Sequence, residues 1–310
     1  MWTPSKLIAI GLALVPGLAL AGCSKTEEPV RPEPVAAPAE SASPIVDAEP
    51  PPVDASFLSA IALDAGLTPR EDQDLATILA GLDAPCSSEA VSVAQCVAEH
   101  RACPDCDRAA RYLALGVHEG WPPVYVQKAF RARFGRKEAV DLPIDGSPVK
   151  GPASAAVTIV EFGSYVCPHC ALEAPKLDAL QKAHPKDVRI VFKPMWSPQD
   201  DKQVRATRAA LAAAAQGKFW ELHAVLFANQ PNFDPESIDG YAKSVGLDLA
   251  KLHADMGSPA VLDQMKKDMA VATTARVDAL PAIWINGRAY QTFENLESRV
   301  GFEVGEKGKK

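Results

Sequence analysis

The hydrophobic pattern changes character along the chain. It opens with an apolar run of 14 residues from Leu7 to Leu20, broken at Pro16. That is too short for a comfortable membrane span. From residue 23 to 54 there is almost nothing to bury, because Pro, Ala, Glu and Ser dominate. This is the composition of a disordered, partly extended tether. Between 55 and 140 apolar residues return at helical spacing. "DASFLSAIALDAGL" and "REDQDLATILAGLD" read as short helices. Ala109, Tyr112, Leu113 and Val117 then share one helical face, which Gly120 stops. Val126, Ala129 and Phe130 repeat the pattern up to Gly135. The segment reads as a small helical module with too little core to stand without cross-links.

From 141 onward the period shifts. "AVTIVEFGS" (156–164) is a short apolar run rich in β-branched residues, so a buried strand. "CPHCALEAPKLDALQKAH" is helical, with Pro168 at the first helical position, where its missing N–H costs nothing. "DVRIVFKPM" is a second strand. Residues from Pro198 to about Val277 are helical, with Phe219, Leu222 and Leu226 on one face and Trp220, His223 and Phe227 on another. "ALPAIWING" is a third strand, entered through Pro281. "GRAYQTF" is a fourth, paired to it across an Asn286-Gly287 turn. "ENLESRVGFEV" makes a poor helix. The fold class is therefore α/β.

Charge adds an exclusion. The net charge of −7 gives no basic field for nucleic acid. The first residues change the compartment. Lys6 precedes the apolar run, and the run ends in Leu20-Ala21-Gly22-Cys23. This resembles the bacterial lipoprotein signal, which implies removal of 1–22 and lipidation of Cys23. By the same resemblance, Ser24 rather than Asp favours the outer membrane. Several acyl chains would hold the protein firmly on the periplasmic side.

Export alters the cysteine arithmetic. Without Cys23, six of the seven cysteines remain: Cys86, Cys96, Cys103, Cys106, Cys167 and Cys170. Six can form three bridges, and an exported compartment permits them. The cluster 86–106 reads as structural disulfides. Cys86–Cys96 with Cys103–Cys106 and Cys86–Cys106 with Cys96–Cys103 are two pairings that fit. The two Cys-x-x-Cys pairs also raise zinc. However, 60 residues separate Cys106 from Cys167, against roughly 15–20 in paired zinc motifs. Neither a metal nor a cofactor is expected.

Four separated features then converge: the "CPHC" at 167–170, Glu161 six residues before Cys167, the helical insertion at about 198–277, and Pro281 before "AIWING". Together they resemble the DsbA-type thiol–disulfide oxidoreductases, an elaboration of the thioredoxin fold. The resemblance covers roughly 140–300. It implies a buried acid at Glu161 acting as a proton relay for Cys170. It also implies a cis peptide before Pro281 that presents a backbone edge to substrate. Leu280 departs from the Val or Thr common in that family.

Thiol–disulfide exchange needs an exposed thiolate. Cys167 lies at a helix N-terminus, where free N–H groups and the dipole favour a negative sulfur. Cys170, nearly one turn later, is the resolving cysteine. His169 would further favour the thiolate and so make the disulfide a stronger oxidant. The expected function is a membrane-anchored disulfide donor acting on cysteines of exported proteins, with an unidentified partner recycling it. A reductase, an isomerase or a peptide-binding chaperone with the same fold is the alternative.

Overall fold

The computed structural model describes residues 60–307, apart from 63, 87–89 and 136–138. The signal segment, Cys23 and the tether lie outside these residues.

The N-terminal half of the described chain is helical because its apolar residues recur at helical spacing between good caps. Helix α1 (Pro69–Gly81) starts at a capping box, in which Thr68 and Glu71 bond each other's backbone, and it buries Leu75 and Leu79. Helix α2 (Val93–Ala98) is capped by Ser92. Helix α3 (Asp105–His118) buries Ala109, Tyr112, Leu113 and Val117, the face read from the sequence. Helix α4 (Pro123–Phe134) buries Val126, Ala129 and Phe130. Two disulfides tie this module, Cys86–Cys103 and Cys96–Cys106. All four cysteines are bridged, but in neither pairing named from the sequence. Chain spacing alone does not decide which sulfurs meet; here α2 packs beside the start of α3.

The second half is built on a five-stranded sheet of order β1-β3-β2-β4-β5. Strands β2 (Val157–Gly163) and β3 (Val188–Pro194) are parallel and joined through helix α5 (Pro168–Ala183). Strand β4 (Ala282–Ile285) runs antiparallel to β2, and β5 (Arg288–Ala289) returns beside it. The turn between them has positive φ at both Asn286 and Gly287, the type I′ geometry. Strand β1 (Val149–Lys150), just before β2, pairs with the outer edge of β3.

Alternation along β2 sets the two faces. Val157, Ile159 and Glu161 point toward α5, and Val160 and Phe162 point the other way. Each fully buried aliphatic side chain of this sheet contributes about 1.5–3 kcal/mol. Between β3 and β4 come five helices: α6 (Asp201–Ala214), α7 (Phe219–Ala228), α8 (Pro235–Ser244), α9 (Leu249–Met256) and α10 (Pro259–Ala275). On the α10 face Lys193 is buried against Asp268 at 2.8 Å, with Ser147 bonded to both.

"ENLESRVGFEV" does form a helix, α11 (Leu296–Lys307). Tertiary packing rather than propensity holds it. Its Val300 joins the sheet core, while Phe302 packs on the helical module. Arg133 of α4 grips Glu303 through two hydrogen bonds of 2.6 and 2.9 Å, and Tyr112 donates to Glu294 at 2.7 Å. The last helix therefore joins the module to the sheet, and the described residues form one compact unit.

Candidate active site

Strand β2 ends at Gly163, and the chain turns through Ser164, Tyr165 and Val166 into Cys167. This residue is the N-cap of α5, with extended φ −85° and ψ 117°. A cap residue normally offers a side-chain oxygen to a free helix N–H. Here the sulfur takes that place: the Cys170 N–H donates to Cys167 Sγ at 3.4 Å. Pro168 supplies the first helical position, and both Pro168 and His169 are exposed. Cys167 is half-buried and Cys170 is fully buried, and both are free thiols. Burial, followed by the hydrogen bond with Cys167, pushes the Cys170 thiol well above its usual pKa. One sulfur of the pair can meet a partner, and the other is kept protonated inside.

Glu161 is 2% exposed on the α5 face of β2. One of its oxygens, Oε1, has no hydrogen-bond partner. Desolvation, with the Glu173 carboxylate adding, raises its pKa to about 8. It is therefore a protonated acid at neutral pH, and its charge when ionised opposes that of Cys170. A cavity of about 260 Å³ lies beside it, lined also by Ala174, Leu177, Trp220 and His223, with Lys150 and Asp178 also on its wall.

On the other side of Cys167 stands the loop before β4. The Leu280–Pro281 peptide is cis. The Leu280 carbonyl oxygen lies 3.7 Å from Cys167 Sγ. A groove of about 940 Å³ begins at Pro281 and runs between α5 and α11, with Ile283, Trp284 and Leu296 in its wall. The fold thus brings Cys167, Cys170, Glu161 and Pro281 around one strand-to-helix turn, with Pro168 and His169 at its rim.

A thioredoxin family model matches residues 144–300. The chain belongs to the thioredoxin family. This thioredoxin-family chain is 30% identical to a thioredoxin-like oxidoreductase from Silicibacter pomeroyi DSS-3, over 54% of this chain and 94% of that one, with a TM-score of 0.48. It is 25% identical to BdbD from Bacillus subtilis, over 55% and 100%, with a TM-score of 0.49. A curated relative, the Na(+)/H(+) antiporter NhaA of Herminiimonas arsenicoxydans, is 33% identical over 177 residues, or 54% of this chain. The chain spans only 28% of that relative's length. No helix among the described residues is long and apolar enough to cross a membrane.

Two features of this thioredoxin-family site escaped the sequence. Gln230, in the helical insertion, donates through Nε2 to the carbonyls of Tyr165 at 2.5 Å and Cys167 at 3.1 Å. It fixes the backbone of the turn from the far side. A polar residue before Pro231 was the only signal, and it reads as an ordinary turn. His223 is buried among Tyr165, Phe192, Trp220 and Phe227, and its Nδ1 meets the Tyr165 hydroxyl at 3.1 Å. Burial, with the Lys150 charge adding, lowers its pKa to about 3, so the ring is neutral. It is a packing residue in the aromatic cluster behind the turn. The sulfurs of Cys96, Cys103 and Cys106 lie within 4.8 Å of one another, but each is bonded to another sulfur and offers no thiolate to a metal.

Proposed function

We propose that this chain is a thiol–disulfide oxidoreductase that donates the Cys167–Cys170 disulfide to cysteines of exported proteins. The observation that carries the reading is the asymmetry of the pair: Cys167 is within reach of solvent, whereas Cys170 is buried with its thiol strongly favoured.

The step balances as follows. A substrate thiolate attacks Cys167 Sγ of the oxidised pair, the Cys167–Cys170 bond breaks, and Cys170 departs with the electron pair. Glu161 is protonated at neutral pH and supplies the proton that makes Cys170 a thiol. A second substrate thiolate then attacks the substrate sulfur of the mixed disulfide and releases Cys167. Two electrons have passed to the enzyme, and the substrate holds a new disulfide. A partner oxidant must then re-form the pair. The open edge beside the Leu280 carbonyl and the apolar groove past Pro281 would hold an extended chain during the exchange.

The same groove favours a second reading, a peptide-binding chaperone that does not turn over. Lipidation at Cys23 would hold either one on the periplasmic side of the outer membrane. The activity named for the antiporter relatives concerns proteins of which this chain matches only 28%, and antiport is not part of the proposal.

The deciding measurement is the reduction potential of the Cys167–Cys170 pair. A value near about −120 mV marks a disulfide donor, and one near about −270 mV a reductant. The second result would overturn the proposed direction. Biological activity retained in Cys167→Ser would instead favour the chaperone.

A further inference from the structure

The helical module holds a second arrangement of sulfurs that the reading above does not use. Two disulfides lie side by side. The outer one, Cys86–Cys103, joins two half-buried residues. The inner one, Cys96–Cys106, joins two residues that are each 2% exposed. Cys103 Sγ sits within 4.8 Å of both inner sulfurs. Cys103 also immediately precedes the N-terminus of α3, a helix of 14 residues whose N-cap, Pro104, makes no side-chain cap hydrogen bond. The start of that helix, where the Cys106 N–H donates to the Cys103 carbonyl at 3.2 Å, favours a negative sulfur beside it. The nearby Asp105 carboxylate is paired with Arg108 at 2.8 Å.

We propose that these four cysteines form a second dithiol–disulfide exchange site, which takes two electrons from accessible thiols and stores them by shifting its internal bond. A thiolate attacks the outer sulfur, Cys86 Sγ. The Cys86–Cys103 bond breaks and Cys103 leaves as a thiolate with the electron pair. Cys103 then attacks Cys106 Sγ, its neighbour in the cluster, and expels Cys96, which takes up a proton. A second thiolate attacks the incoming sulfur of the mixed disulfide and releases Cys86, which is protonated in turn. Two thiols have become one disulfide. The module holds thiols at Cys86 and Cys96 and a bond between Cys103 and Cys106, the Cys-Pro-x-Cys spacing of residues 167–170. Exposure dictates that the outer bond reacts first, and proximity dictates that the inner one responds.

The test uses the full chain carrying Cys167→Ser and Cys170→Ser, so that failure of the first site cannot be mistaken for failure of this one. The protein is equilibrated with increasing reduced glutathione, quenched with acid, and its free thiols are labelled with a mass tag before peptide mapping. The expected first product gains two tags, on Cys86 and Cys96, with a peptide cross-linked through Cys103 and Cys106. Tags on Cys86 and Cys103 with Cys96–Cys106 intact would overturn the proposal. So would the loss of both bonds in one step together with the helical circular dichroism. The unsubstituted chain should give the same module tags in addition to any at Cys167 and Cys170, which guards against a folding defect in the double variant.

Discussion

Two segments of this chain place Cys-Pro-x-Cys at the start of a helix, and they differ by one residue in where the helix begins. At 167–170 the first cysteine is the N-cap itself and Pro168 opens the helix, so Cys167 Sγ accepts from the Cys170 N–H. At 103–106 the proline is the N-cap, the first cysteine stands outside, and the helix opens at Asp105. The offset leaves Cys103 to bond Cys86, while Cys106 bonds Cys96. At 167–170 no third cysteine among the described residues competes, and the motif faces a buried acid and a cis-proline loop instead. The tetrapeptide alone does not decide whether its sulfurs stand free or bridged. Register against the helix and the sulfurs within reach do.

The largest effect that would break this comparison is at Cys167. Cys167→Ser should abolish turnover of a cysteine-containing substrate, a loss of roughly 10³-fold or more, leaving only the single two-electron exchange open to the sulfurs of 86–106. A substrate-oxidation assay under a glutathione disulfide buffer reads it directly. Substantial residual turnover would mean that the sulfurs of 86–106 do the work assigned to 167–170.

The next concerns how the two regions are joined. Arg133 and Glu303 are a bidentate pair, about 90% or more buried at both ends, and Arg299 bonds Glu303 as well. Arg133→Ala leaves the Glu303 carboxylate without its main partner, which should cost about 3–5 kcal/mol. Denaturant unfolding followed by both tryptophan fluorescence and circular dichroism checks it. A single transition with a lower midpoint is expected. Two separated transitions with an unchanged first midpoint would mean that the helical module and the sheet fold independently of this contact.

Much of this was legible in the sequence, and the gaps have physical causes. Strands β2, β3 and β4 announced themselves because buried strands are short β-branched runs, and α3 and α4 because their apolar faces repeat cleanly. Glu161, Cys167 and Cys170 fall within ten residues and Pro281 lies 111 residues beyond Cys170, yet each carried a chemical signature, and the fold gathers them at one turn. The helix α11 was obscured because its buried face carries Arg299 and Glu303, charges that break the apolar pattern while bonding each other at 3.2 Å. Strand β1 is two residues long, too short for any alternation to register. The disulfide pairing depends on how α2 meets α3, and Gln230 reaches the active-site turn from 63 residues away. Neither is a local property.

Glu161 sharpens the contrast between the free-thiol and the bridged motif, because among the described residues a buried acid with a strongly raised pKa lies beside the first one. The folded protein keeps its proton up to about pH 8, whereas an unperturbed carboxyl releases it near 4.5. The folded state thus binds more protons over that interval. The contribution to stability is full below about pH 4.5 and is lost as pH rises toward 8. The loss amounts to roughly 3–5 kcal/mol. His223 acts in the opposite sense: its contribution is full above about pH 6.5 and is lost as pH falls toward 3. Between pH 6.5 and 8 the His223 effect is absent and the Glu161 effect remains. Glu161→Gln should abolish the decline in unfolding free energy across that window and leave the variant more stable than the parent at the upper end. It should also slow protonation of the departing Cys170, by roughly 10²-fold in exchange rate. An unchanged stability profile would show that Glu161 is solvated and ionised like a surface carboxylate.

The smallest effect isolates the cap. Cys167 stands where Ser, Thr, Asp or Asn usually satisfies a helix N–H, and its sulfur is the acceptor for Cys170 N. Cys167→Ser and Cys167→Ala should both lose exchange, so activity cannot separate them, but stability can. Serine replaces sulfur with a better acceptor on the same geometry, whereas alanine leaves the N–H of a buried residue without a side-chain partner. The serine variant should therefore be more stable than the alanine variant by about 1 kcal/mol in reducing buffer. Chemical denaturation under matched conditions measures the difference. Equal stabilities would mean that the sulfur–amide contact contributes nothing to holding the helix start, and that the one-residue offset between the two motifs matters for reach between sulfurs alone.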